Sequence, residues 1–134
     1  MDAKELLNIA KEAMNRAYAP YSGFQVGAAL LTKKGKVYTG CNIENASFSP
    51  TCCAERTAFF KAVSEGEREF SALAVVGGKD GIIAELCPPC GVCRQVIREF
   101  CREDFPIYLW NGKGAPVCLT LCELLPFGFS DKNL

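Results

Sequence analysis

The chain has 134 residues, 49% of them hydrophobic and 22% charged, with 15 basic and 15 acidic side chains and no histidine. That size and balance fit one globular domain over residues 1–134. A net charge of zero argues against a polynucleotide surface, whose affinity comes mostly from phosphate neutralisation, and no apolar run approaches the roughly 20 residues of a membrane span.

Asp2 and Glu5 have the spacing of a capping box. They open a helix with Leu6, Leu7, Ala10, Ala13, Met14 and Ala17 on one stripe. Asp2, Glu5 and Glu12 also break the basic-then-apolar layout of a secretory signal, so a cytoplasmic location is expected. Ala19, Pro20 and Gly23 end the helix. Residues 24–31 and 37–43 read as two strands joined across Lys34-Gly35, a hairpin. Gly27 and Gly40 inside them mark either bulges or close backbone approach. A helix is predicted over 52–64, stopped by Gly66, and a short buried strand over 73–76, closed by Gly77-Gly78. Pro88 and Pro89 lead into a helix over 91–101. Strands follow at 107–110 and 117–121, the second passing into a helical turn at 122–125. The link between these two strands is short, so they are expected to pair antiparallel. The whole order predicts an α/β fold of three layers, α/β/α, with a mixed five-stranded sheet flanked by helices.

Nine cysteines are many for a reducing compartment and odd in number, which favours metal over a disulfide framework. With no histidine, a metal site must use sulfur and carboxylate. In Pro89-Cys90-Gly91-Val92-Cys93 two thiols share one face of a helix start, as structural zinc, a redox pair and coincidence would all allow. In Cys53-Ala54-Glu55-Arg56 a third thiol stands at another helix start, with a carboxylate two residues on. Three protein donors leave a fourth position open, the arrangement of catalytic zinc. Glu55 alone would read as a first-turn carboxylate favoured by the helix dipole.

Together, Cys53-Ala54-Glu55 and Pro89-Cys90-Gly91-Val92-Cys93 resemble the small zinc cytidine deaminases with three cysteine ligands. Phe24-Gln25-Val26-Gly27-Ala28-Ala29, Gly40-Cys41-Asn42-Ile43-Glu44-Asn45 and Leu124-Leu125-Pro126 are similar to that family in the same order. The resemblance implies hydrolysis of cytidine and deoxycytidine to uridine and deoxyuridine with release of ammonia, in pyrimidine salvage. It implies one Zn2+ per subunit on Cys53, Cys90 and Cys93. A zinc-bound hydroxide would attack C4, and Glu55 would shuttle the proton. Arg56 would donate to a ligand thiolate, its bland alternative being a surface ion pair.

By the same resemblance Asn42 and Glu44 hydrogen-bond the ribose, Phe24 packs on the nucleoside, and the Ala54 backbone meets the exocyclic amine. From the residues alone, Phe24 reads as core and 42–45 as a polar loop. Phe48 departs from the tyrosine frequent at its position and loses a hydroxyl. The family is typically a homotetramer with active sites at subunit contacts, and Phe129 corresponds to a residue that enters a neighbour's pocket. Packing of Phe127 and Phe129 on their own subunit is the alternative. The expected partner is therefore a small nucleoside, with neither nucleic acid nor membrane, although a nucleoside antibiotic remains as a rival substrate. Cys87, evenly spaced with Cys90 and Cys93, leaves an iron–sulfur site open. Cys41, Cys52, Cys101, Cys118 and Cys122 read as small buried apolar residues.

Overall fold

The computed structural model describes Met1–Leu134. Helix α1 (Ala3–Met14) starts as its capping box predicts: the Asp2 carboxylate accepts from the Glu5 amide at 2.8 Å, and the Glu5 carboxylate accepts from the Asp2 amide at 3.3 Å. There follow β1 (Phe24–Thr32), β2 (Val37–Cys41), α2 (Ala54–Ser64), β3 (Phe70–Lys79), α3 (Gly91–Phe100), β4 (Pro106–Leu109), β5 (Val117–Thr120) and α4 (Leu121–Leu124). A short 3₁₀ turn, Asp131–Asn133, closes the chain.

The strands lie in the order β2-β1-β3-β4-β5. β1 is antiparallel to both β2 and β3, β3 is parallel to β4, and β4 is antiparallel to β5. The sheet is therefore mixed, and the last two strands pair as expected from their short link.

Alternation along the strands sorts two cores onto two faces. Ala29, Ala72, Ala74 and Val76 meet Leu6, Leu7, Ala10 and Met14 of α1. On the other face Ala28, Leu30, Leu73, Val75, Ile107 and Leu109 meet Phe59 of α2 and Ile97 of α3. There the Phe59 ring sits edge-on to Phe70 at 5.1 Å and stacks on Phe100 at 6.2 Å. Such pairs add to plain burial. The predicted helix–sheet–helix layering is thus present.

The strand glycines mark close approach rather than bulges. A Cβ on Gly27 would lie 2.0 Å from the Ala10 carbonyl oxygen, and one on Gly40 would lie 2.3 Å from that of Ala54. The register shift in β1 falls elsewhere, between Leu31 and Thr32.

Three expected elements change their bounds. The strand predicted over 73–76 runs from Phe70 to Lys79, because Gly77 and Gly78 stay in the ladder opposite Val26 and Gln25. The turn comes just after: the Gly81 amide donates to the Gly78 carbonyl at 3.2 Å, and the returning chain passes so close that a Cβ on Gly78 would lie 1.8 Å from the Ile82 carbonyl oxygen. The second helix starts at Ala54 rather than residue 52, because Cys52 pairs with Ile43 through two backbone hydrogen bonds of 2.9 and 3.0 Å. That bridge also ends β2 at Cys41. No helix is long and apolar enough to cross a membrane.

Candidate active site

Both helices on the α2/α3 face begin at a cysteine. Cys53 is the N-cap of α2 and Cys90 that of α3; both have extended backbone and neither caps its helix with its side chain. Cys93 lies in the first turn of α3, fully buried. The three sulfurs lie within 4.8 Å of one another, with Cys53 and Cys90 3.8 Å apart. Two thiolates on one tetrahedral zinc with bonds of about 2.3 Å are themselves about 3.8 Å apart. The spacing and the soft donor set fit zinc, and three donors leave one coordination position without a protein ligand.

Positive charge is supplied from the chain itself. Two helix N-termini converge on the sulfurs, and their unsatisfied amides favour thiolate. Arg56 Nη2 donates to Cys53 Sγ at 3.3 Å. Hydrogen bonds from the Cys93 thiol and then from Arg56 and Cys90 hold the Cys53 thiol well below its ordinary value, against partial burial. The hydrogen bond shared with Cys53, followed by burial, pushes Cys93 upward. Arg56 therefore takes the thiolate rather than a surface carboxylate. Its Nε is buried with no protein partner.

Glu55 is buried, at 4% exposure, in the first turn of α2. Desolvation, reinforced by the Cys53 charge, pushes its carboxyl up to about 7. A solvated first-turn glutamate would not show this. A carboxyl poised near neutrality beside a three-sulfur cluster is suited to moving protons.

Of the predicted substrate residues, Phe24, Asn42 and Glu44 lie on the chain around β1 and β2, Ala54 opens α2, and Phe129 lies beyond α4. Phe24 is 41% exposed at the start of β1, not core. It borders a groove of about 420 Å³ with Lys79, Ile82 and Leu86. Asn42 clamps that start: its Oδ1 accepts from the Val26 amide and its Nδ2 donates to the Phe24 carbonyl, both at 2.8 Å. Glu44 is buried, its Oε1 accepting from the Tyr21 and Ser22 amides at 2.9 and 3.1 Å. The Ser22 hydroxyl donates to its Oε2 at 2.5 Å. These bonds, led by the Ser22 hydroxyl, hold Glu44 below the usual carboxylate range.

Other expectations divide. Cys87 stands outside the sulfur cluster; it is half-buried over Gly77, and burial pushes its thiol up to about 12. Cys101 is buried as expected and Cys41 and Cys52 are half-buried, but Cys118 and Cys122 are exposed. The reason is position: Cys118 is on the edge strand β5 and Cys122 on the one-turn helix after it. Phe129 is 56% exposed and Phe127 fully so, so neither ring is buried on its own subunit. Phe48 tilts against Tyr21, ring centroids 5.9 Å apart.

Three polar residues passed over in the sequence tie these pieces together. Ser22 is one. Arg94 donates to the Pro89 carbonyl at 2.6 Å and to the Leu124 carbonyl at 2.5 Å, joining the cysteine loop to α4. Gln95 donates to the Phe129 carbonyl at 2.9 Å, holding the C-terminal segment against α3. For Arg94 and Gln95, the place directly after Cys93 was the available signal.

Residues 1–109 match the profile of the cytidine and deoxycytidylate deaminase zinc-binding region. The chain is 54% identical to a cytidine deaminase from Sporosarcina psychrophila over 134 residues, all of this chain and 96% of the relative. It is 50% identical to one from Halalkalibacterium halodurans, again over all of this chain and 98% of that one. A crystal structure of cytidine deaminase from Burkholderia pseudomallei superposes with a TM-score of 0.88 at 46% identity, covering 96% of this chain and 100% of that one. With the sulfur cluster and the sheet order, these matches make the chain a member of the cytidine and deoxycytidylate deaminase family of zinc-binding enzymes.

Proposed function

We propose that this protein, one unit over residues 1–134, hydrolyses the 4-amino group of cytidine and deoxycytidine, giving uridine or deoxyuridine and ammonia in cytoplasmic pyrimidine salvage. Glu55 carries this reading: a buried carboxyl raised to about 7 beside three converged sulfurs. The relatives named cytidine deaminase support the substrate class.

Cys53, Cys90 and Cys93 would hold one zinc ion per subunit, which when bound supplies a water acidic enough to act as nucleophile near neutral pH. Glu55 would accept one proton of that water and pass it to ring N3 as the oxygen bonds to C4, then take the proton of the new C4 hydroxyl and give it to the amine, so that the C4–N bond breaks, ammonia leaves and the C4 carbonyl forms. A buried carboxyl whose proton affinity is raised by desolvation can take up a proton and release it again. Arg56 offsets the excess negative charge of three thiolates. Phe24 flanks the nucleoside, Asn42 and Glu44 take the sugar hydroxyls, and the Ala54 backbone meets the exocyclic amine. The exposed Phe129 enters a neighbouring subunit's pocket in a homotetramer. Ring exposure of this kind is costly unless another surface covers it.

The test follows the cytidine absorbance band on adding purified protein, then after chelator treatment, then after zinc is restored. The band is expected to fall, persist and fall again. Folded, zinc-loaded protein that leaves the band unchanged overturns the proposal.

A further inference from the structure

Glu44 does not stand free on its loop. It is held by one turn, Tyr21-Ser22-Gly23, and Ser22 is where that turn branches. The Phe24 amide donates to Ser22 Oγ at 2.9 Å, and an amide can only donate. The hydroxyl has a single proton, so with one lone pair taken by Phe24 it directs that proton to Glu44 Oε2. The Ser22 amide binds the other carboxylate oxygen. A carboxylate offers about four acceptor positions. Two on Oε1 and one on Oε2 are filled, which leaves one on Oε2 with its direction set by the Ser22 hydroxyl.

The turn is itself braced from outside. Lys79 Nζ donates to the Ser22 carbonyl at 2.6 Å, and the Asp80 amide donates to the Gly23 carbonyl at 2.7 Å. Gly23 sits at φ +69°, and a Cβ there would lie 3.1 Å from Lys79 Nζ, so the brace needs a glycine. The Phe24 backbone is thus gripped on both sides, its amide by Ser22 and its carbonyl by Asn42. One network joins the aromatic expected against the nucleoside to both side chains expected on the sugar.

We propose that Ser22 is a positioning residue for substrate recognition: it aims the last acceptor position of Glu44 at a sugar hydroxyl. This rests on the reading that Glu44 accepts from the sugar. Ser22 touches no reacting atom, so its effect belongs in KM rather than kcat.

The experiment measures kcat and KM of the zinc-loaded full chain on cytidine and on 2′,3′-dideoxycytidine, whose sugar lacks both hydroxyls. Ser22→Ala is expected to raise KM for cytidine about tenfold with kcat within about twofold, and to leave dideoxycytidine unaffected. Ser22→Thr, which keeps the hydroxyl, is expected to restore most of the loss. Equal penalties on the two substrates, or an unchanged KM for cytidine, overturn the proposal. If Ser22→Ala does not fold, Lys79→Met loosens the same turn from outside, and an about threefold KM rise confined to cytidine is expected. An equal rise on both substrates, or none, rejects the proposal. Glu44→Gln separates the two claims. If it discriminates between the substrates while the Ser22 and Lys79 variants do not, only the role of Ser22 falls. If it does not discriminate either, the reading of Glu44 falls and takes this proposal with it.

Discussion

Gly27 and Gly40 do the same job on opposite faces of the sheet, yet only one of these contacts borders chemistry. At each, a helix lies so close to a strand that no Cβ fits. On the α1 face the helix meets the strand through its middle, at Ala10 and Met14, and the buried residues there carry no titratable group. On the α2 face the touching residue is Ala54, the first of its helix, so close packing brings the helix start and its unsatisfied amides into the interior. A second helix start then arrives beside it with Cys90 and Cys93. Tight helix–sheet packing is therefore common to both faces; what makes a site is which part of the helix is pressed inward.

Substitutions can break that contrast. Glu55→Gln should lower kcat by roughly a hundredfold to ten-thousandfold while zinc content, read by elemental analysis, stays at wild-type level. Leu6→Ala, on the α1 face, should cost about 2–5 kcal/mol in denaturant unfolding and leave kcat of the folded fraction unchanged. A kcat that falls with it would show the faces to be coupled. Gly40→Ala should cost about 1–3 kcal/mol and also weaken zinc retention against a chelator, whereas Gly27→Ala should show the stability loss alone. Arg56→Ala should keep the fold but reduce zinc affinity or turnover about 10- to 100-fold, read by competition with a metal indicator and by rate.

The smallest effect is on pH dependence. Glu44 is held below its ordinary value of 4.5, so its hydrogen-bonded, ionised form is fully present above that value and is lost only as pH falls through the lower one. KM for cytidine should stay flat down to the ordinary value and rise only in stronger acid. In Ser22→Ala the rise should begin at higher pH.

Features set by neighbours in sequence could be read directly. The Asp2–Glu5 cap, the stripe of α1, the hairpin and the sulfur motifs each depend on short spacings, and Cys53, Cys90 and Cys93 do converge. What depended on distant contacts could not. Gly77 and Gly78 look like a turn, but they complete a ladder with β1 whose strand lies some fifty residues earlier. Cys118 and Cys122 carry the same apolar signature as Cys101, and only their places, on the edge strand and on the one-turn helix after it, expose them. Ser22 drew no notice between Pro20 and Gly23, because its partners Glu44 and Lys79 are brought to it only by the folded sheet.

The pair of cysteines at the starts of the two helices has a consequence for folding. Cys53 and Cys90 are 37 residues apart in the chain, and an ion gripping both closes that stretch of chain into a ring. Such a clasp restricts the unfolded chain much as a disulfide does, but it opens whenever the ion departs. Metal supply would then set how well the second and third helices stay docked, and the protein's tolerance of heat should follow the free zinc around it.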